Sequence, residues 1–116
     1  MQYALLIYGA EGRWETFSEE EQQAMTQEYM AIGRDPKTKA GADLGELSKS
    51  TTVRVDNGKT LTTDGPFAET KEVLGGYYLI DVDTIDESLD WAAKIPGAKH
   101  GTIEVRPVVT DYETVS

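Results

Sequence analysis

Two short stretches, Tyr3–Tyr8 (YALLIY) and Leu74–Asp83 (LGGYYLIDVD), constrain this chain more than any other feature. Both read as β-strands, rich in aromatic and branched apolar residues. Neither alternates. Successive side chains of a strand point to opposite faces, so a sheet with one wet face shows apolar and polar residues in turn. Here nearly every position is apolar. Tyr77 and Leu79 fall on one face of the second strand, and Tyr78, Ile80 and Val82 on the other. Both faces of both strands therefore need cover.

Helices supply it on one side. Ser18-Glu19-Glu20-Glu21 is a capping box, in which Ser18 and Glu21 satisfy each other's free backbone N–H groups. The carboxylates also suit the positive end of the helix dipole. Met25, Tyr29 and Ile32 then recur at helical spacing, and Gly33 and Asp35-Pro36 end or kink the helix. Thr84-Ile85-Asp86-Glu87 reads as a second capping box. It opens a helix with Leu89, Ala92, Ala93 and Ile95 inward and Pro96-Gly97 as its stop.

Between these elements, Gly9–Phe17 reads as a loop with an exposed Trp14. Pro36–Ala42 is expected to add a helical turn or two, and Leu44–Leu47 a short edge strand. Thr51–Asp56 alternates, Asn57-Gly58 is a type I′ hairpin signal, and Lys59–Thr63 pairs back, with Arg54, Thr60 and Thr62 toward solvent. His100–Pro107 is the expected last strand, with Ile103, Val105 and Pro107 on one face. Residues 1–109 form the expected single domain, and Thr110–Ser116 a loose tail.

The order β-α-β-β-β-β-α-β is a split β-α-β unit with an added hairpin: ferredoxin-like α+β, an antiparallel sheet with two helices on one face. A second copy packing sheet against sheet is the simplest cover for the other face, giving a symmetric homodimer. Each further aliphatic or aromatic side chain buried there contributes roughly 1.5–3 kcal/mol. A hydrophobic ligand is the rival cover.

Composition removes several functions. The net charge of −10 repels nucleic-acid phosphates and anionic lipid, so no direct nucleic-acid partner is expected. There is no cysteine and a single histidine, His100, which excludes thiol nucleophiles and Cys-ligated metals. No metal or cofactor is expected, and no P-loop, dinucleotide fingerprint or nucleophile elbow is present. Ala4–Tyr8 is too short for a signal-peptide core or a membrane span, so the expected location is cytoplasmic.

The segments DGPFAETKE (Asp64–Glu72), LGGYYLIDVD, DESLDWAAKIP (Asp86–Pro96) and GTIEVRPV (Gly101–Val108) resemble the DGPF-type branch of the YCII-related proteins. The opening YALLIYG and the TTVRV-NGK hairpin fit as well. The resemblance covers nearly the whole chain and implies a ferredoxin-like fold paired into a dimeric α+β barrel. It implies little about activity. Members of this branch often sit beside or fuse to extracytoplasmic-function sigma factors. For the wider group, enzymatic activity is attributed to a histidine on the first helix and an aspartate. In this sequence Tyr29, within EYMAIG, stands where that histidine would be, so the pair does not carry over intact.

Among candidate site residues, Asp64 has two readings: a general acid/base held rigidly beside the Gly65-Pro66 corner, or a turn residue whose oxygens accept backbone N–H groups. Tyr29 is a helix-stripe residue whose hydroxyl is a candidate donor to a substrate oxygen. Phe67 pins the corner to the core or walls a cleft. Tyr77 and Tyr78 are candidate ligand contacts, one of them facing away from the helices. Arg106 is a candidate anion contact, and Trp14 a lid or a dimer contact. Gly75-Gly76 marks a bulge or tight crossing, and His100 is read as a surface residue. Two functions stay open: a dimer with a small-molecule pocket, with or without catalysis, and a non-catalytic accessory or regulatory dimer linked to a sigma factor.

Overall fold

The computed structural model describes residues 1–109, and the tail expected at Thr110–Ser116 lies outside the described residues. In chain order the elements are β1 (Gln2–Gly9), α1 (Glu19–Arg34), β2 (Thr38–Asp43), β3 (Thr51–Asp56), β4 (Lys59–Asp64), β5 (Val73–Asp81), α2 (Ile85–Lys94), α3 (Gly97–His100) and β6 (Thr102–Pro107). Single 3-10 turns lie at Trp14–Thr16 and Leu47–Lys49. The fold is α+β. A four-stranded antiparallel sheet runs in the order β2-β5-β1-β6, and β3 and β4 form a sheet of their own. No helix among the described residues is long and apolar enough to cross a membrane.

Register sorts the central strands into two faces. Leu5 pairs with both Tyr78 and Val105, and Tyr3 with Ile80, so these side chains share the helix side. There Tyr3, Leu5, Ile80, Val82, Ala92 and Ile95 make the buried core, with Tyr29, Ile32, Tyr78 and Trp91 packed against it. On the other face Ala4 pairs with Leu79 and Leu6 with Tyr77, flanked by Ala40 and Ala42 of β2. Those four β1 and β5 side chains are only half-buried, because the helices pack on the first face. Glu104 and Arg106, opposite Leu6 and Ala4, give this open face a charged border.

The first capping box forms in full: the Glu21 N–H donates to the Ser18 hydroxyl at 3.1 Å, and the Ser18 N–H to the Glu21 carboxylate at 2.9 Å. This hydrogen bonding holds the Glu21 carboxyl below its usual pKa. The second is one-sided. Thr84 accepts from the Glu87 N–H at 3.2 Å, but the Glu87 carboxylate turns to Lys37 Nζ at 3.1 Å. A cation from the start of β2 outcompetes the local backbone donor.

Several expectations are corrected. Pro36–Ala42 is not helical, because Thr38–Asp43 is the second strand. Lys and Ala favour helix weakly, but β5 needs a partner for its outer edge, and pairing overrides propensity. The Lys37 carbonyl accepts from the Asp81 N–H at 2.8 Å, which starts the register. Leu44–Leu47 is not a strand: the Leu44 N–H reaches Gly75 O at 2.9 Å, after which the chain leaves the sheet. On α2 the inward residues are Ser88, Ala92 and Ile95, while Leu89 and Ala93 face out. Ser88 tolerates burial because its hydroxyl donates to Ile85 O at 2.6 Å. His100 ends α3 rather than opening β6.

In the hairpin, Arg54 pairs with Leu61, whereas Thr60 and Thr62 share a face with Val55 and Val53. The polar side expected from Arg54, Thr60 and Thr62 is therefore split across both faces. Val55 is 69% exposed. At the Asp64–Phe67 corner, Gly65 adopts φ +97°, which favours glycine. The Gly65 N–H donates to Ser50 O at 2.7 Å, and Thr52 Oγ1 donates to Gly65 O at 2.8 Å. Phe67 is 81% exposed, so it does not pin this corner to the core. The backbone of Gly65 closes the corner without it.

Candidate functional site

The helix face of the sheet opens into a cleft of about 700 Å³. The end of β1, the Trp14 turn, α1, the end of β2, the start of β5 and α3 all border it. Its floor depends on two glycines. A Cβ on Gly41 would stand 2.9 Å from Tyr78 Cδ1, and one on Gly97 would stand 3.0 Å from the Tyr29 hydroxyl and 3.1 Å from Ile7 Cγ2. The first contact is closer than a Cβ accepts and the second is tight enough that a neighbour must shift, so glycine there gives the tyrosines their room. Gly76 answers to a different neighbour, since a Cβ there would stand 2.8 Å from the Ala42 carbonyl oxygen of β2. The β1–β5 register shifts at Ile7/Tyr8, a bulge that passes over Gly75.

Tyr29 and Tyr78 meet inside the cleft. The Tyr78 hydroxyl donates to the Tyr29 backbone carbonyl at 2.7 Å, tying the sheet to α1. Burial pushes the Tyr78 phenol up to about 12, with the neighbouring Tyr29 and Asp43 adding to it. Tyr29 is also raised, first by burial, while the Gly97 N–H at its oxygen pulls the other way. Both phenols stay protonated at neutral pH. A protonated Tyr29 keeps its O–H for donation into the cleft that it lines.

A second group comes from the loop before α1. The Trp14 turn is fixed by Thr16 Oγ1 donating to Arg13 O at 2.6 Å and Gln22 Nε2 donating to Trp14 O at 2.9 Å. Trp14 and Phe17 meet edge-to-face with ring centroids 6.4 Å apart. Phe17 in turn lies 4.7 Å from the His100 ring, and the Arg13 guanidinium stands 5.6 Å above Phe17. The result is a continuous aromatic wall with a cation over its central ring.

The structure brings Trp14, Tyr29, Tyr77 and Tyr78 to the cleft. Tyr77 borders it, although register puts its side chain with Leu6 and Ala42 on the open sheet face. Asp64, Phe67 and Arg106 are not among the lining residues. Asp64 closes β4 opposite Thr51, and Arg106 lies on β6 opposite Ala4. The hydrogen bonds that close the Asp64 corner run through the Gly65 backbone rather than its carboxylate.

Arg13, Phe17, Asp43 and His100 also line the cleft, and the sequence reading did not single them out as site residues. A signal for Phe17 was present. It directly precedes the Ser18 cap, where an apolar residue usually staples to one in the first helical turn. The residue four beyond Ser18 is Gln22, so the Phe17 ring has no staple partner and turns to His100 instead. For His100 the signal was weaker: Pro96-Gly97 suggested a plain stop, not a further helical turn carrying the histidine inward. No group of three or more His, Asp or Glu able to hold a metal ion occurs among the described residues.

The model of the YCII-related domain matches residues 1–110 of this chain. An uncharacterized protein, R00369, from Rhizobium meliloti (strain 1021) is 38% identical over 116 residues, covering 93% of this chain and 92% of that one.

Proposed function

This chain belongs to the YCII-related family, and we propose that it is a homodimer whose aromatic cleft binds a small molecule. The observation that carries the reading is the convergence of Tyr29, Tyr78 and the Trp14–Phe17–His100 wall on one cleft of about 700 Å³, a size that suits a small ligand. Tyr29 is its best-placed polar group, a protonated phenol with a proton to donate. Any chemistry there is assigned to Tyr29 rather than to Asp64, which lies on the hairpin. The DGPF run supports membership of the DGPF-type branch, and the sheet order β2-β5-β1-β6 supports a ferredoxin-like reading of the fold.

Pairing through the open sheet face is supported by Ala4, Leu6, Tyr77 and Leu79, apolar side chains on a face without a helix. Light scattering at micromolar concentration tests it: a dimer that Leu79→Glu converts to a monomer is expected, and a monomeric parent chain overturns it. For the cleft, a fragment screen read by NMR is expected to move the resonances of Trp14, Tyr29 and Tyr78. Hits that map only to the hairpin overturn it.

One observation favours the second reading, a non-catalytic accessory protein. The β3–β4 hairpin carries exposed Val53 and Val55 on one face, and Phe67 beyond it is exposed too. A protein contact would cover them. Fragment hits confined to the hairpin would direct attention to that reading.

A further inference from the structure

We propose that the ligand of this cleft is a small aromatic carboxylate, its ring against Trp14 and Phe17 and its carboxylate at Arg13. The inference rests on the cleft being a binding site and adds the class of occupant.

The lining chemistry points to a flat ring. Trp14, Phe17, Tyr29 and Tyr78 bring π-systems to a single cleft, and Met25 adds a polarizable thioether. The pairs already formed, Trp14 edge-on to Phe17 and Phe17 tilted against His100, are the geometries that aromatic rings prefer, and a further ring extends the same series.

The charges set the ligand's polarity. In a chain of net charge −10, the cleft carries one guanidinium. Arg13 has no carboxylate within ion-pair distance among the described residues, and its interaction there is with the Phe17 ring. A planar fork of donors left without an acceptor beside an aromatic wall matches a carboxylate carried on a ring. Asp43 is the lining carboxylate, and it lies at the tyrosine end, where its charge raises both Tyr29 and Tyr78. An anionic group is repelled from that end and drawn to the Arg13 end. His100, the last residue of α3, lies against the Phe17 ring and adds an imidazole donor beside the Arg13 end.

The test titrates the full chain with benzoate, benzamide and cyclohexanecarboxylate at millimolar concentration, reading the Trp14 indole and Met25 methyl resonances by NMR. Benzamide keeps the ring without the charge, and cyclohexanecarboxylate keeps the charge without the π-system. Benzoate is expected to bind roughly tenfold tighter than either, a factor in keeping with one charge-assisted contact. Arg13→Gln is expected to remove that advantage over benzamide. His100→Gln, at a second position on the same wall, checks the result should Arg13→Gln disturb the turn. Equal binding of all three probes at these residues overturns the aromatic carboxylate while leaving a ligand cleft in place. No shift at Trp14 or Met25 with any probe likewise overturns the aromatic carboxylate, and the fragment screen then decides the cleft itself.

Discussion

The Tyr78 hydroxyl donates to the Tyr29 carbonyl at 2.7 Å, across 49 residues of sequence. This bond joins the centre of the sheet to the middle of the first helix and places two phenols at the base of one cleft. Neither the strand nor the helix needs it to form. It sets the position of one relative to the other.

Removing the bond tests its weight. The Tyr29 carbonyl has two lone pairs, so Tyr78→Phe leaves no orphaned acceptor, and the cost should be about 0.5–1.5 kcal/mol. Urea denaturation of the two proteins measures it. A loss several times larger would mean that the ring itself had moved.

Gly97→Ala should be more damaging than its size suggests, by about 1–3 kcal/mol, because the new methyl meets the Tyr29 hydroxyl and Ile7. Tyr29→Phe removes one of those two contacts. The double variant should therefore lose less stability than the sum of the single ones, and a double-mutant cycle in thermal denaturation reads the coupling directly. Strict additivity would place the strain elsewhere.

Alkaline pH should weaken the fold through Tyr78. Its ordinary value is 10.0, and burial pushes it up to about 12 in the folded chain. Between these values the unfolded state binds fewer protons than the native state, so stability falls as pH rises. The contribution is fully present below the lower value and is lost as pH passes through the upper one. Chemical denaturation across that window should show a steeper decline for the parent chain than for Tyr78→Phe. Identical slopes would show that another group governs the alkaline limb.

Ser18→Ala removes the hydroxyl that the Glu21 N–H reaches and should cost about 1 kcal/mol. The consequence extends to the cleft, since Phe17 stands next to the cap and Tyr29 rides on the same helix. Hydrogen exchange in the first turn of α1 should quicken, with β6 unaffected. Equal loosening of both would show that the cap is not a local device.

The two apolar strands, the first capping box and the Asn57-Gly58 hairpin were legible because each depends on neighbouring residues. Period-two patterning, a serine three positions before a glutamate and a turn dipeptide carry their physics within a few residues. The second strand was not legible. Thr38–Asp43 has a weak local preference, and it became a strand because β5 offered an unpaired edge. The inward face of α2 depends on a related cause: a leucine is more buriable than a serine by transfer alone, but Ser88 is satisfied inside because its hydroxyl donates to the Ile85 carbonyl.

The site divides along the same line. Tyr29, Tyr78 and Trp14 were visible as aromatic residues on a stripe, a strand and a loop. That they share a cleft with Arg13, Asp43 and His100 follows from how β1, α1 and α3 close together. By itself, the sequence determined that this chain has α+β elements, strands with two apolar faces and no cysteine chemistry. Only the tertiary structure decided which side of the sheet the helices cover and where Asp64 lies relative to the cleft. Helix caps and turns are settled by forces acting over a few residues. A cleft is settled by the packing of segments far apart in the chain, and room for its tyrosines depends on glycines, such as Gly41 and Gly97, whose local sequence does not announce the role.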